Sequence, residues 1–245
     1  MPRLDHMTTQ EVRDLPPELA VAVLPLGSTE QHGPHLPLGT DTLIVTAVVE
    51  AAITGLAGSR VVMLPPVAVG KSNEHLQFPG TLSLTGNTLA GVVTDTARCL
   101  AKHGFRKLVL VTGHGGNAPV LEAVCRDLRV ELGFLAFVTS PIVSAVRSAA
   151  GFTADDIHAG DYETSLLLAL RPELVKLDRL PTHNPAGPLL PWLGKAKFSW
   201  TIQDLSSHGF VGDPQAASAE KGRALLAGGV QWLGDFLKRV AETPH

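Results

Sequence analysis

Four short apolar runs, at residues 21–26, 61–64, 108–112 and 134–138, are bounded by turn residues and read as buried strands. Helical patterns lie between and after them. Residues 42–52 form the first. The second covers 88–103, with Leu89, Val92, Val93 and Leu100 at helical spacing and Gly104 placed as a left-handed terminator. A third covers 119–132, with Leu121, Val124, Cys125 and Leu128 on one side. A fourth runs from about 161 to 170, and a last one covers roughly 216–240, with Leu226, Val230, Leu233 and Leu237 facing inward. Such strand–helix alternation predicts an α/β fold of three layers, α/β/α, around a mostly parallel central sheet. Ligands of such sheets bind beyond the carboxyl ends of the strands. The loops after Leu26, Leu64 and Thr112 are therefore the places to look for chemistry. The Pro-rich stretch 181–191 reads as a connector.

Composition narrows the reading. With 245 residues, 44% of them hydrophobic, the chain can bury one sizeable core, and we expect a single domain over 1–245. A net charge of -3, with basic residues not interleaved with stacking aromatics and a single Tyr, gives nucleic-acid binding little support. The N-terminus lacks the apolar segment of a secretory signal, and no run approaches the roughly 20 apolar residues of a membrane span. Cys99 and Cys125 read as two buried thiols in a reducing cytoplasm.

The first of the three loops carries Glu30 and His32, two residues apart. An extended chain points both to one side, as a carboxylate–imidazole half-site for a metal. Asp41 opens the next helix, either as its N-terminal cap or turned inward as a bridge between two metals. The third loop, Gly113-His114-Gly115-Gly116-Asn117, lacks the Lys-Ser/Thr of a phosphate loop, leaving His114 as a packed histidine or a ligand. Farther on, His158 precedes a helix whose first turns hold Glu163. That Glu suits the helix dipole and equally suits a metal, while His158 suits proton transfer. Together Glu30, His32, Asp41, His114 and Glu163 offer mixed O/N donors appropriate to Zn, Mn or Fe, two divalent ions in all. No Gly-x-Ser-x-Gly elbow is present and neither cysteine has a base beside it in sequence, so a covalent nucleophile is not expected.

Four motifs, GSTEQHGPHLPLGTD, SNEHLQFPGTLSL, TGHGGN and HAGDYETS, together with Gly212-Asp213-Pro214, resemble the creatininase (creatinine amidohydrolase) family over residues 24 to about 226. The resemblance implies a creatininase-like α/β fold with a two-metal site, in a family that includes homohexamers. By position it implies that Glu30 and His32 bind different metals, that Asp41 bridges them, that His114 serves the first metal and that His158 shuttles a proton. Glu163 matches the Glu of the family's late His/Glu motif. The chain departs from the creatinine-cleaving pattern at Gly115 and Gly116, where a pocket Tyr and a Glu ligand are expected. Glu163, or else Asp161, then completes the second metal, and creatinine is not the expected substrate. Members with the Gly-Gly form include a formamidopyrimidine deformylase, an inosose-type ring hydrolase and the peptidase of mycofactocin maturation.

The expected function is therefore hydrolysis of a C–N bond in a small cyclic amide or formamide by a metal-bound hydroxide, in a cytoplasmic homo-oligomer with no nucleic-acid or membrane partner. The alternatives are a mycofactocin-type peptidase and a non-catalytic metal-binding scaffold. Ser72, Asn73 and His75 are candidate substrate contacts or loop stabilisers, and His208 is a weaker neighbour of the site. His35 reads as structural, and His6, His103, His183 and His245 as surface residues.

Overall fold

The computed structural model describes residues 3–16, 20–56, 60–153, 155–195 and 197–244; His245 lies outside them. Among the described residues, four strands form one sheet: β1 (Val21–Leu26), β2 (Val61–Met63), β3 (Lys107–Thr112) and β4 (Leu135–Thr139). Their order is β2-β1-β3-β4, and every pairing is parallel. The helices are α1 (Thr9–Arg13), α2 (Thr40–Thr54), α3 (Gly86–Lys102), α4 (Ala118–Leu132), α5 (Ser144–Ala149), α6 (Asp161–Leu170), α7 (Ile202–Leu205) and α8 (Ala219–Glu242).

Side chains alternate along the strands and divide the core in two. Val21, Val23, Val109 and Val111 pack under α2, α6 and α8. Ala22, Leu24, Leu108 and Leu110 pack under α3 and α4 on the opposite face. The expected three-layer α/β/α architecture follows directly. Pro25 is tolerated within β1 because β2 has ended at Met63 by that level; the Val67 N–H donates to the Pro25 carbonyl at 3.0 Å.

Some boundaries and faces differ from expectation. β3 begins one residue early, on Lys107, which is buried and donates through Nζ to the Ala241 carbonyl at 2.7 Å, at the negative end of the α8 dipole. Gly104 is left-handed as expected (φ 87°). On α3 the buried stripe is Leu89, Val93, Ala97 and Leu100, which leaves Val92 and Cys99 exposed. Cys99 is thus not a buried thiol; it sits one position off the stripe, and Cys125 is only half-buried. On α8 the buried positions are Gly222, Leu225, Gly229, Leu233, Leu237 and Val240, so Leu226 and Val230 are flanking contacts.

The order of the strands fixes the location of the site. From β1 the chain moves to β2 on one side by way of α2, then crosses back to β3 on the other side by way of α3, which lies on the opposite face. The carboxyl ends of β1 and β3, at Leu26 and Thr112, therefore flank a topological switch point.

Candidate metal centre

Past Leu26 the loop is held extended. Thr29 bridges Leu82 in antiparallel fashion, and the Gln31 N–H donates to the Thr81 hydroxyl at 3.1 Å. Glu30 and His32 consequently point inward from the same stretch, and both are fully buried. The N-cap of α2 is Gly39, so Asp41 is not a cap; its carboxylate sits in the first turn and faces the interior. Gly113 is needed at the end of β3, since a Cβ there would come within 2.7 Å of the Asp41 carbonyl. His114 follows in extended conformation and turns its ring onto Glu30 and Asp41.

All five expected ligands meet. Asp41 Oδ1 lies 3.3 Å from His32 Nε2, and Asp41 Oδ2 lies 3.5 Å from His114 Nδ1. Glu30 Oε1 is 3.1 Å from His114 Nδ1, and Glu163 Oε2 is 3.7 Å from His32 Nε2. Two triads with mutually close donor atoms result, Glu30/Asp41/His114 and His32/Asp41/Glu163, and they share Asp41. A third grouping joins Glu30, His32 and His158. The outer atoms are anchored: Ser28 donates to Glu30 Oε2 at 2.9 Å, the His32 Nδ1–H donates to the Glu30 carbonyl at 3.1 Å, and the Ala159 N–H donates to Glu163 Oε2 at 2.6 Å. Ala159 makes that last bond from a left-handed conformation (φ 49°), a strained posture for a residue with a side chain, located between His158 and Glu163. Asp161, the other candidate for the second metal, is turned away, paired with Lys221 at 2.6 Å and with Ser165 at 2.9 Å.

The donor set fits divalent cations. Glu30 Oε1 and Asp41 Oδ2 are buried and hydrogen-bond to nothing among the described residues, an expensive condition for carboxylates unless a cation is near. The electrostatics point the same way. Burial disfavours a charged His32, yet Asp41, Glu163 and Glu30 outweigh burial and hold its pKa at about 10. Burial raises Glu163 to about 7, with Asp41 adding to the effect. So many carboxylates packed out of water draw in positive charge, which an oxygen- and nitrogen-binding ion would supply.

His158 behaves differently. Its Nε2–H donates to the Gln31 carbonyl at 2.9 Å, which directs Nδ1 toward Glu30 Oε1, 3.8 Å away. Burial, reinforced by His32 and His75, holds it well below the usual histidine range and hence neutral. His32, His158 and His75 form a column of rings with 4.4 Å between successive centroids.

Among the less firmly placed residues, Ser72 pairs with Ser28 through their hydroxyls and lies 3.3 Å from His114 Nε2, and His75 Nε2 is 3.6 Å from Glu30 Oε1. Asn73 is exposed and bonded to Lys71, away from the centre. His35 is structural, joined to the Thr164 hydroxyl at 3.0 Å. His208 turns to Asn184 instead of the site. Gln31 had no signal of its own. Its amide nitrogen donates to His75 Nδ1 at 2.7 Å and to the Gly209 carbonyl at 2.8 Å, and its backbone carbonyl receives the His158 Nε2–H, tying three segments together. Above the centre lies a cavity of about 680 Å³, whose outer wall includes Leu193, Lys195, Lys197, Phe198 and Trp200. The chain just past the supposed connector thus helps to enclose the site.

A buried carboxylate–imidazole cluster at the switch point of a parallel sheet, under an open cavity, defines an α/β/α protein with a candidate metal centre. The creatininase (creatinine amidohydrolase) family profile matches residues 5–237. The chain is 38% identical to the mycofactocin precursor peptide peptidase of Mycobacterium ulcerans (strain Agy99), covering 98% of this chain and 92% of that protein. It is 36% identical to the creatinine amidohydrolase of Pseudomonas putida, covering 89% and 88%. Among solved structures, a manganese creatininase superposes with a TM-score of 0.82 at 32% identity, over 99% of each chain. The chain belongs to the creatininase family of metal-dependent amidohydrolases.

Proposed function

We propose that this protein, as one catalytic domain, hydrolyses a C–N bond of a small amide with two divalent cations. Glu30, Asp41 and His114 would hold one cation and His32, Asp41 and Glu163 the other, with Zn, Mn or Fe matching the donors. The observation that carries this reading is the pair of buried triads that share Asp41. When bound, such a pair supplies Lewis acidity for a carbonyl and a water acidified toward neutrality.

The protein's own residues do the rest. Glu30 is kept in place by Ser28, His114 by the Lys71 carbonyl, and Glu163 by the strained Ala159 N–H. His158 is neutral, with Nε2 committed to Gln31, so Nδ1 is available to take a proton at the cavity floor and return it to the departing nitrogen. Gln31 fixes the His75 ring through its amide and the His158 ring through its backbone carbonyl, and Leu193, Phe198 and Trp200 line the cavity above them.

The family's small cyclic amides and formamides are one substrate class. A short peptide is favoured by two observations: the 38% identity to a peptide peptidase over nearly the whole chain, and the open wall at Gly115, where a Cβ would meet nothing within 4 Å, of a cavity of about 680 Å³. The test is a screen of the metal-loaded protein against lactams, formamides, creatinine and short peptides. Turnover of an amide in either class, abolished by a chelator and restored by Zn, Mn or Fe, is expected. No hydrolysis of any class with both cations loaded would leave a non-catalytic metal-binding scaffold.

A further inference from the structure

Gly116 leaves a gap on the outer side of the His114 ring, and a carboxylate from another part of the chain fills it. Glu74 lies on the short 3-10 turn Asn73–His75, in the segment that follows β2. Its Oε1 is 3.5 Å from His114 Nε2, on the side of the ring opposite Glu30 and Asp41. The same Nε2 lies 2.9 Å from the Lys71 carbonyl and 3.3 Å from the Ser72 hydroxyl. A Cβ on Gly116 would come within 2.5 Å of both Glu74 Oε1 and the Lys71 carbonyl and would run into His114 Nε2 itself. Gly116 is therefore the condition for this approach. Where a side chain at 116 would project, this chain has the Glu74 carboxylate.

We infer that Glu74 is a positioning residue for His114. The Lys71 carbonyl takes the Nε2–H and fixes the tautomer that presents Nδ1 to Glu30 and Asp41, while the Glu74 carboxylate, 3.5 Å from the same nitrogen, holds the ring orientation from outside and through its charge strengthens Nδ1 as a metal ligand. The physical ground is general. A ligating imidazole binds better when its second nitrogen donates to a carbonyl or carboxylate, because the negative charge there increases electron density at the ligating nitrogen and removes rotational freedom. Lys71 Nζ, 3.9 Å from Glu74 Oε2, steadies the carboxylate from the solvent side. The side chain of Glu74 is only 14% exposed, so the near-isosteric Glu74→Gln removes its charge without opening space, and the metal-free melts report any packing lost in Glu74→Ala.

The inference rests on the proposed two-cation reading, and the experiment separates the two. Cation content of the wild type, Glu74→Gln and Glu74→Ala is measured by elemental analysis after equilibration with graded concentrations of a zinc chelator, alongside thermal melts of the metal-free proteins. In the wild type, loss of the first-released zinc defines the affinity of the weaker site. The expected result is that Glu74→Ala loosens one zinc of the two by about 10–100-fold, that Glu74→Gln falls between, and that the metal-free melts coincide. In cobalt-substituted protein, the visible absorption of that one site should shift. Both zincs held within twofold of wild type in Glu74→Ala would overturn the role. So would unchanged zinc affinity with only KM raised, which would make Glu74 a substrate contact. A wild type that binds no zinc would instead overturn the two-cation reading itself.

Discussion

At the scale of single residues the site is a matter of which nitrogen faces where. His32, His114 and His158 each have one ring nitrogen tied to a backbone carbonyl, of Glu30, Lys71 and Gln31 respectively, and each presents the other to the carboxylates. What distinguishes His158 is its surroundings. Asp41 and Glu30 keep His32 charged in the absence of a cation, whereas burial and two neighbouring imidazoles keep His158 neutral. His158→Ala should therefore cut turnover by about 100-fold or more while both cations remain bound, as expected for loss of an acid/base group. Elemental analysis beside steady-state kinetics checks this; loss of a cation from the variant would make His158 a ligand within the Glu30/His32/His158 grouping. The five ligand candidates were legible in the sequence because each falls at the end of a strand or the start of a helix, within a segment poor in solvating charge. Glu74 and Gln31 were not. Alternation along an extended loop would send Gln31 away from Glu30 and His32, and a charged residue on a short turn looks like solvated surface.

At the scale of elements, period decides what is buried. All four strands were visible as apolar runs: β1, β2 and β3, covered on both faces, need no polar alternation, while β4, at the sheet edge, is only half-buried. Helix faces were harder. On α3, α4 and α8 the apolar residues spread over more than the width of one stripe, and packing selected the subset. The cysteines record the outcome. Cys99 is exposed on α3, while Cys125 on α4 is partly buried, and burial pushes its thiol up to about 11. At pH 8 only about one Cys125 in a thousand would be thiolate, the reactive form. Native protein treated with a maleimide at pH 8 should thus label at Cys99 first, with Cys125 accelerating as pH rises toward 11. Peptide mapping over time checks the order, and Cys125 reacting as fast as Cys99 at pH 8 would contradict it. Lys107 shows the same limit of sequence. Its charge marks a strand boundary on paper, yet the carboxyl end of α8 receives its ammonium and lets it be buried.

At the scale of the molecule, strand order does what no local motif can. Placing β1 between β2 and β3 brings the loop after Leu26 and the loop after Thr112 to one crevice, α6, packed on α2 and α8, delivers Glu163 to it, and the antiparallel bridge to Val211 just before α6 delivers His158. The alternation of elements announced the α/β/α layers and the carboxyl-end location. It did not announce that the chain after the Pro-rich stretch would return across the cavity, where Leu189 and Leu190 anchor it on Ile202 and Leu205. Long irregular segments follow tertiary contacts that carry no period. Among the described residues no helix is long and apolar enough to cross a membrane. The sharing of Asp41 by two cations can be counted: divalent ions per chain should number two in the wild type and well under one in Asp41→Asn, because both triads lose the same carboxylate. Two ions retained by Asp41→Asn, or a single ion in fully active wild type, would contradict it.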